Sequence, residues 1–190
     1  MAGAKRKGKA QKEKKLFFHR LEFLAKISFL SLSAQKIGFM PNTRLPWFKT
    51  ETREDKTFVF DPLRRRFVAL TPEEEVRQKV LYLLVEHLGV PAGRLAVEYS
   101  VKVNGLDKRC DAVLFDAEGR PLMIVECKAP SVTLSQSTLE QAVRYHSALH
   151  PRFLLLSNGA MLFCYKVEGA ALQAMDHLPD YAEMQASASA

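Results

Sequence analysis

Three charged side chains interrupt an otherwise apolar hairpin, and that conflict limits what this chain can fold into. The stretch runs Arg109-Cys110-Asp111-Ala112-Val113-Leu114-Phe115, turns through Asp116-Ala117-Glu118-Gly119-Arg120-Pro121, and returns as Leu122-Met123-Ile124-Val125-Glu126-Cys127-Lys128. Runs so rich in Val, Ile, Leu and Phe read as strands buried on both faces, central in a sheet that is covered on each side. An Asp, a Glu and a Lys in such strands lose water, which costs free energy unless each has a partner or a task. Residues two apart on a strand share a face, so Glu126 and Lys128 project together while Cys127 points the other way. Asp111, on the paired strand, can converge with them. Two carboxylates supply the hard oxygen ligands that Mg²⁺ (or Mn²⁺) takes while keeping its waters and sharing phosphate oxygens. A lysine beside them can orient a water or steady negative charge developing on phosphorus. The plain alternative is an ion pair of Lys128 with Glu126 or Asp111, although buried ion pairs are usually poor stabilisers. Acidic-x-Lys alone is a weak motif. It occurs at Glu13-x-Lys15, Glu54-x-Lys56 and Glu126-x-Lys128, and only the last lies in an apolar strand preceded by one bearing an Asp.

The formal net charge of +7 suggests a nucleic-acid partner until it is divided along the chain. Residues 1–39 hold 10 Lys and Arg against 2 Glu, giving +8, and residues 40–190 hold the other 18 against 19 acids, giving −1. The basicity belongs to a leader, so any attraction of the folded part for DNA rests on local patches. Residues 1–15 are too polar to fold alone, whereas 16–39 turn apolar with interruptions at His19, Arg20, Glu22 and Lys26. A secretory signal wants a cleaner apolar core and a shorter basic region. The leader stays open between a nucleic-acid or membrane-surface arm and an upstream extension without a fold, Met40 then being the native start. The expected organisation is a leader over 1–39, one domain over 40–184 and a disordered tail over 185–190. No run of uncharged apolar residues reaches the length of a membrane span. The three cysteines, Cys110, Cys127 and Cys164, lie in apolar runs without CxxC spacing, which predicts reduced core thiols in a cytoplasmic protein.

Residues 40–70 read as mostly irregular, with Pro41, Pro46 and Pro62 as breakers and short strands at 57–60 and 66–70. Thr71 then offers an N-cap, Pro72 the first helical position and Glu74 the other half of a capping box, with Gly89 as the stop. Val76, Val80, Leu83, Leu84 and Leu88 form the buried stripe, and Glu73 and Arg77 share its side. Glu73 is open between a site role and service to the helix dipole. Leu95 to Val103 alternates, with Leu95, Val97, Tyr99, Val101 and Val103 expected on one face. Asn104-Gly105 predicts a two-residue hairpin turn into the strand of Asp111. A helix over about 135–149 follows, then strands at 153–156 and 161–165 around Ser157-Asn158-Gly159. The order of elements predicts a mixed sheet with helices on it, an α/β or α+β fold. His87 and His146 read as packed side chains.

Five pieces match a known family in order: Pro72-Glu73-Glu74-Glu75-Val76-Arg77-Gln78, Cys110-Asp111-Ala112-Val113, Val125-Glu126-Cys127-Lys128-Ala129-Pro130, Gln141-Ala142-Val143-Arg144-Tyr145 and Leu156-Ser157-Asn158-Gly159. The stretch from Thr71 to Tyr165 resembles the PD-(D/E)XK nuclease superfamily, and within it the N-terminal nuclease domain of type I restriction enzyme R subunits. The resemblance implies a restriction-endonuclease-like αβββαβ core whose mixed central sheet is flanked by helices. It implies a Mg²⁺-dependent DNA endonuclease with Asp111 and Glu126 as metal ligands and Lys128 as catalytic lysine. Gln141 and Tyr145, one turn apart on a helix face, match a motif such nucleases place near bound DNA; Glu73 and Arg77 would support them. Cys110 stands where the superfamily's name has Pro. No G-x-x-x-x-G-K-[ST] occurs, so the ATPase motor of a full R subunit is expected to be missing. DNA is the expected partner, with a protein partner supplying specificity. The competing expectation is a catalytically silent nucleic-acid- or protein-binding module of the same fold.

Overall fold

The computed structural model describes residues 47–103, 105–169 and 171–188. The leader over 1–39, the start at Met40, Pro41, Pro46, Asn104 and the last two residues of the chain lie outside them. Residues 47–70 form an antiparallel meander, β1 (Thr50–Arg53), β2 (Lys56–Asp61) and β3 (Arg66–Ala69) in the order β1-β2-β3; the short strands expected at 57–60 and 66–70 are there as β2 and β3, and β1 lies where irregular chain was expected. The β1–β2 turn is the two-residue Glu54-Asp55, with φ of 47° and 62°. Such a turn normally carries Asn or Gly, so its signal is missing from the sequence. Asp61 makes the next turn, its Oδ1 accepting the backbone N–H groups of Leu63 and Arg64.

Helix α1 spans Pro72–Tyr82 and continues through a π-helical turn at Leu83–His87. Thr71 caps it by accepting from the Glu74 N–H at 3.1 Å. The expected capping box does not close, because Glu74 turns its carboxylate to Arg64, Arg77 and Gln78 instead. Gly89, at φ 67°, supplies the left-handed stop.

The main sheet has six strands in the order β4-β5-β6-β7-β8-β9: β4 (Leu95–Val103), β5 (Leu106–Phe115), β6 (Pro121–Cys127), β7 (Phe153–Ser157), β8 (Leu162–Glu168) and β9 (Ala171–Ala174). Val103 pairs with Leu106 at the end of the antiparallel β4–β5 pair. Pairing is antiparallel except between β6 and β7. Those two are joined by helix α2 (Gln136–Leu149), the crossover that a parallel pair requires. β6 and β7 are central and almost wholly buried, as their unbroken apolar runs demand.

One core lies under α2, where Leu139, Ala142 and Val143 meet Ile124, Leu154 and Leu156. The other lies under α1, where Val76, Val80 and Leu84 meet Leu114, Val125 and Leu155. Each fully buried Leu, Ile or Val contributes about 1.5–3 kcal/mol, so these two layers carry the fold. A last helix, α3 (Tyr181–Ala188), closes the second core with Met184, which is fully buried. Residues 185–188, expected to be disordered, are therefore helical: Gln185 reaches the Tyr181 hydroxyl, and Arg152 donates to the Ser187 carbonyl. No helix among the described residues is long and apolar enough to cross a membrane. Cys110, Cys127 and Cys164 are free and buried.

β4 departs from its sequence pattern in one place. Leu95 and Val97 pack in the core under α1, whereas Tyr99, Val101 and Val103 pack in the core under α2. The break falls at Glu98, whose φ of 54° is left-handed. β5 changes faces at the same level, Ala112 facing the α1 core and Cys110 the α2 core. The register Val97↔Ala112 and Tyr99↔Cys110 places Glu98 opposite Asp111, so both strands turn over at one pair of acids.

Candidate active site

The register of β5 and β6 runs from Ala112↔Val125 through Val113↔Ile124, and Asp111 and Glu126 are the next residues beyond its end on the two strands. The two acids meet different neighbours. Asp111 is anchored: its Oδ1 accepts from Arg77 Nη2 at 2.7 Å and its Oδ2 from the Cys127 N–H at 2.6 Å. Arg77, buried on α1, also pairs with Glu74, which pairs in turn with Arg64, and Arg64 with Asp61. Burial works against the Arg77 charge, but Asp111 and Glu74 hold its pKa above the ordinary arginine value. Sequence reasoning gave Glu74 only a capping role; it is the hub of this chain of charges, and Gln78 donates to both Glu74 and Asp61.

Glu126 is 1% exposed and sits on the α2 side of the sheet. Its Oε2 accepts from Gln141 Nε2 at 2.8 Å, while its Oε1 is buried with no hydrogen-bond partner. Burial first, and then the nearby Asp111 charge, push its carboxyl up to about 8, although Lys128 pulls the other way. Lys128 follows the end of β6, held by its own N–H on the Ser157 carbonyl at 2.8 Å. Its Nζ donates to Gln141 Oε1 at 3.3 Å, so Gln141 bridges Glu126 and Lys128.

The remaining expected site residues divide. Arg77 reaches Asp111 directly. Glu73 is 43% exposed and stands 3.6 Å from Arg77. Tyr145 lies one turn beyond Gln141, but its hydroxyl donates to the Arg109 carbonyl at 3.1 Å, a tie between α2 and β5. Asn158, a positioning residue, is 3% exposed and donates to the Val132 carbonyl, so it pins the segment that follows Lys128. Gly159 completes that turn at φ 83°, where a Cβ would come within 3.1 Å of Val76.

Among the described residues no group of three or more His, Cys, Asp or Glu side chains is placed to hold a metal ion. The donor set is thus two carboxylates on adjacent strands, one with a free buried oxygen. That suits a Mg²⁺-type ion, which uses one or two carboxylates and takes its other ligands from water and substrate.

Among curated proteins, none matches this chain. A solved structure is similar: a fragment assigned to an HsdR subunit of a type I restriction enzyme from Vibrio vulnificus YJ016, at 20% identity and a TM-score of 0.46. The match covers 60% of this chain and 24% of that one, so the likeness spans about a quarter of that protein. The family model of the type I restriction enzyme R protein N terminus matches residues 72–179, more than half of the 190 residues. That span runs from the first turn of α1 to the approach of α3 and contains Asp111, Glu126, Lys128 and Gln141, and on it the chain belongs to the type I restriction enzyme R protein N-terminus family.

Proposed function

We propose that this domain is a divalent-metal-dependent endonuclease of the PD-(D/E)XK kind that hydrolyses DNA phosphodiester bonds, with a protein partner supplying specificity. The observation that carries the reading is the buried, partnerless Oε1 of Glu126 beside Asp111. Burial and the Asp111 charge both work against the ionised Glu126 carboxyl, and a cation held there would remove the desolvation penalty and the repulsion together. Asp111 and Glu126 would hold the ion. A bound Mg²⁺ or Mn²⁺ supplies a more acidic water and a counter-charge for the phosphoryl oxygens. Lys128, held by the Ser157 carbonyl and by Gln141, would steady negative charge developing on phosphorus. Gln141 keeps the Glu126 and Lys128 side chains apart and aligned, and Arg77 fixes Asp111.

The experiment is a Mg²⁺- and Mn²⁺-dependent cleavage assay on DNA with Glu126→Ala and Lys128→Ala. Both substitutions abolish cleavage on this reading; undiminished cleavage by both removes the assignment. The competing reading, a module with this fold and no chemistry, draws on the −1 charge of residues 40–190, which offers little nonspecific attraction for DNA. Calorimetry with Mn²⁺ separates the two. Heat that disappears in Asp111→Ala supports the metal site, and no heat from the unaltered chain favours the silent module.

A further inference from the structure

Two exposed arginines outside this constellation converge on one carboxylate beside it. Arg66 of β3 and Arg109 of β5 approach Glu98 of β4, Nη2 to Oε2 at 3.6 Å and Nη1 to Oε1 at 3.3 Å. Their side chains are 63% and 64% exposed. Arg64 reaches the same carboxylate from below at 3.0 Å and is 10% exposed. Burial works against the Glu98 charge, but the hydrogen bond and charge of Arg64, with Arg109 and Arg77 adding, hold its carboxyl below the ordinary range. The two outer guanidinium groups thus each spend one long contact on Glu98, and the larger part of each side chain faces water. Exposed ion pairs of this kind add only about 0–1 kcal/mol to a fold, so stability gives little reason to gather them.

Their position gives a better one. Glu98 lies opposite Asp111 in register, and it reaches the arginines from a left-handed backbone that costs on the order of 1–3 kcal/mol in a strand. Arg109 stands two residues before Asp111 on the same strand, about 7 Å of chain, and Tyr145 ties its carbonyl to the helix that carries Gln141. A guanidinium matches two phosphate oxygens at once, and a backbone held near Asp111 brings its neighbouring phosphates within such a span.

We propose that Arg66 and Arg109, spaced by Glu98, grip the phosphodiester backbone of DNA beside the bond presented to Asp111 and Glu126. The orientation rests on the nuclease reading; the grip itself does not.

Fluorescence anisotropy of the full chain with a labelled duplex DNA, in EDTA and over a salt series, tests it. Each of Arg66→Gln and Arg109→Gln weakens binding, and each lowers the slope of log Kd against log salt by about 0.9; the double variant lowers it by roughly twice that. The +8 leader adds the same slope to every variant and cancels in the differences. Arg120→Gln, an equally exposed and ion-paired arginine on the β5–β6 turn, serves as control and leaves the slope unchanged. A double variant that melts like the parent and keeps its affinity and slope overturns the proposal, and so does an Arg120→Gln effect as large as the pair's. An arginine effect without Mg²⁺-dependent cleavage sinks only the nuclease reading. Cleavage without the arginine effect sinks only this one.

Discussion

Asp111 and Glu126 lie on neighbouring strands, yet the protein treats their charges in opposite ways. Asp111 ends a chain of alternating charges, Asp61–Arg64–Glu74–Arg77–Asp111, in which every carboxylate meets a guanidinium. Arg77 Nε and Gln78 Oε1 lack partners there, but no charge in the chain does. Glu126 has one amide donor, one bare oxygen and a carboxyl raised to about 8. The α1 corner holds charges that complete one another, as a structural element does. The α2 corner holds an acid that something else must complete. Buried charge as such therefore does not distinguish the proposed site in this fold; the lack of compensation at Glu126 does.

The largest effect comes from breaking the completed corner. Arg77→Ala leaves Glu74 and Asp111 buried without their shared partner, and removing one member of a buried pair costs about 3–5 kcal/mol. Urea unfolding reads this as a fall in midpoint at constant slope. A loss under 1 kcal/mol would mean that Glu74 and Asp111 are solvated well enough to do without Arg77, and the contrast between the corners would collapse.

The second effect has the opposite sign. In the metal-free protein the folded-state pKa of Glu126 lies above its unfolded value, so the native state binds the extra proton and stability falls as pH rises. The stability Glu126 contributes is full below about 4.5, declines as pH climbs, and is lost by about pH 8. Glu126→Gln keeps the shape and the Gln141 neighbour but cannot ionise. In EDTA it should match the parent near pH 4.5 and exceed it by roughly 4 kcal/mol at pH 8, one pKa unit being worth about 1.4 kcal/mol and the carboxyl rising from 4.5 to about 8. A parallel pair of stability curves across that range would show Glu126 to be compensated after all.

How much of this could be read from the sequence follows the same division. The six-strand sheet, the α2 crossover and the hairpin of Asp111 and Glu126 come from long apolar runs, and such runs leave a strong pattern. The shared side of Glu126 and Lys128 was legible from strand alternation, whereas Gln141 was singled out by the family resemblance and its contacts to both were not legible. Strands β2 and β3 were legible at 57–60 and 66–70, but β1 and the turn after it were not, since Glu54-Asp55 adopts a turn that normally announces itself with Asn or Gly. Nor was the reversal at Glu98, because an alternating string looks the same whether or not its backbone turns over halfway. Glu74 misled for a related reason: at the third position of a helix it fits a capping box, and only the approach of Arg64 from a distant turn gives it other work.

Asn158 allows a smaller test of how the open corner is built. Its Nδ2 donates to the Val132 carbonyl and its Oδ1 accepts from the Ala160 and Met161 N–H groups, so it joins the segment after Lys128 to the β7–β8 turn. Asn158→Ala removes three part-buried hydrogen bonds, to the Val132 carbonyl and from the Ala160 and Met161 N–H groups, which costs about 1–3 kcal/mol in all. If Lys128 depends on that anchor, cleavage falls further than in a variant of equal stability loss elsewhere, such as Leu172→Ala on β9. Equal losses of activity would make Asn158 a structural residue only.

Glu73 decides where the boundary between the two corners runs. It is the one acid near Arg77 with substantial exposure, at 43%, and its contact with Nη2 is long, at 3.6 Å. Arg77 already faces Glu74 and Asp111, so a third carboxylate adds little, and an exposed pair of this geometry is worth about 0–0.5 kcal/mol. Glu73→Gln should therefore leave urea stability within that margin. The Glu126 carboxyl nonetheless responds to the Glu73 charge, which raises it along with burial and Asp111, so Glu73 is electrically in view of the open corner. Calorimetry with Mn²⁺ gives the second reading: affinity reduced several-fold by Glu73→Gln, at unchanged stability, moves Glu73 from the ion chain into the proposed metal site. Unchanged affinity leaves it as a charge serving the first turn of α1.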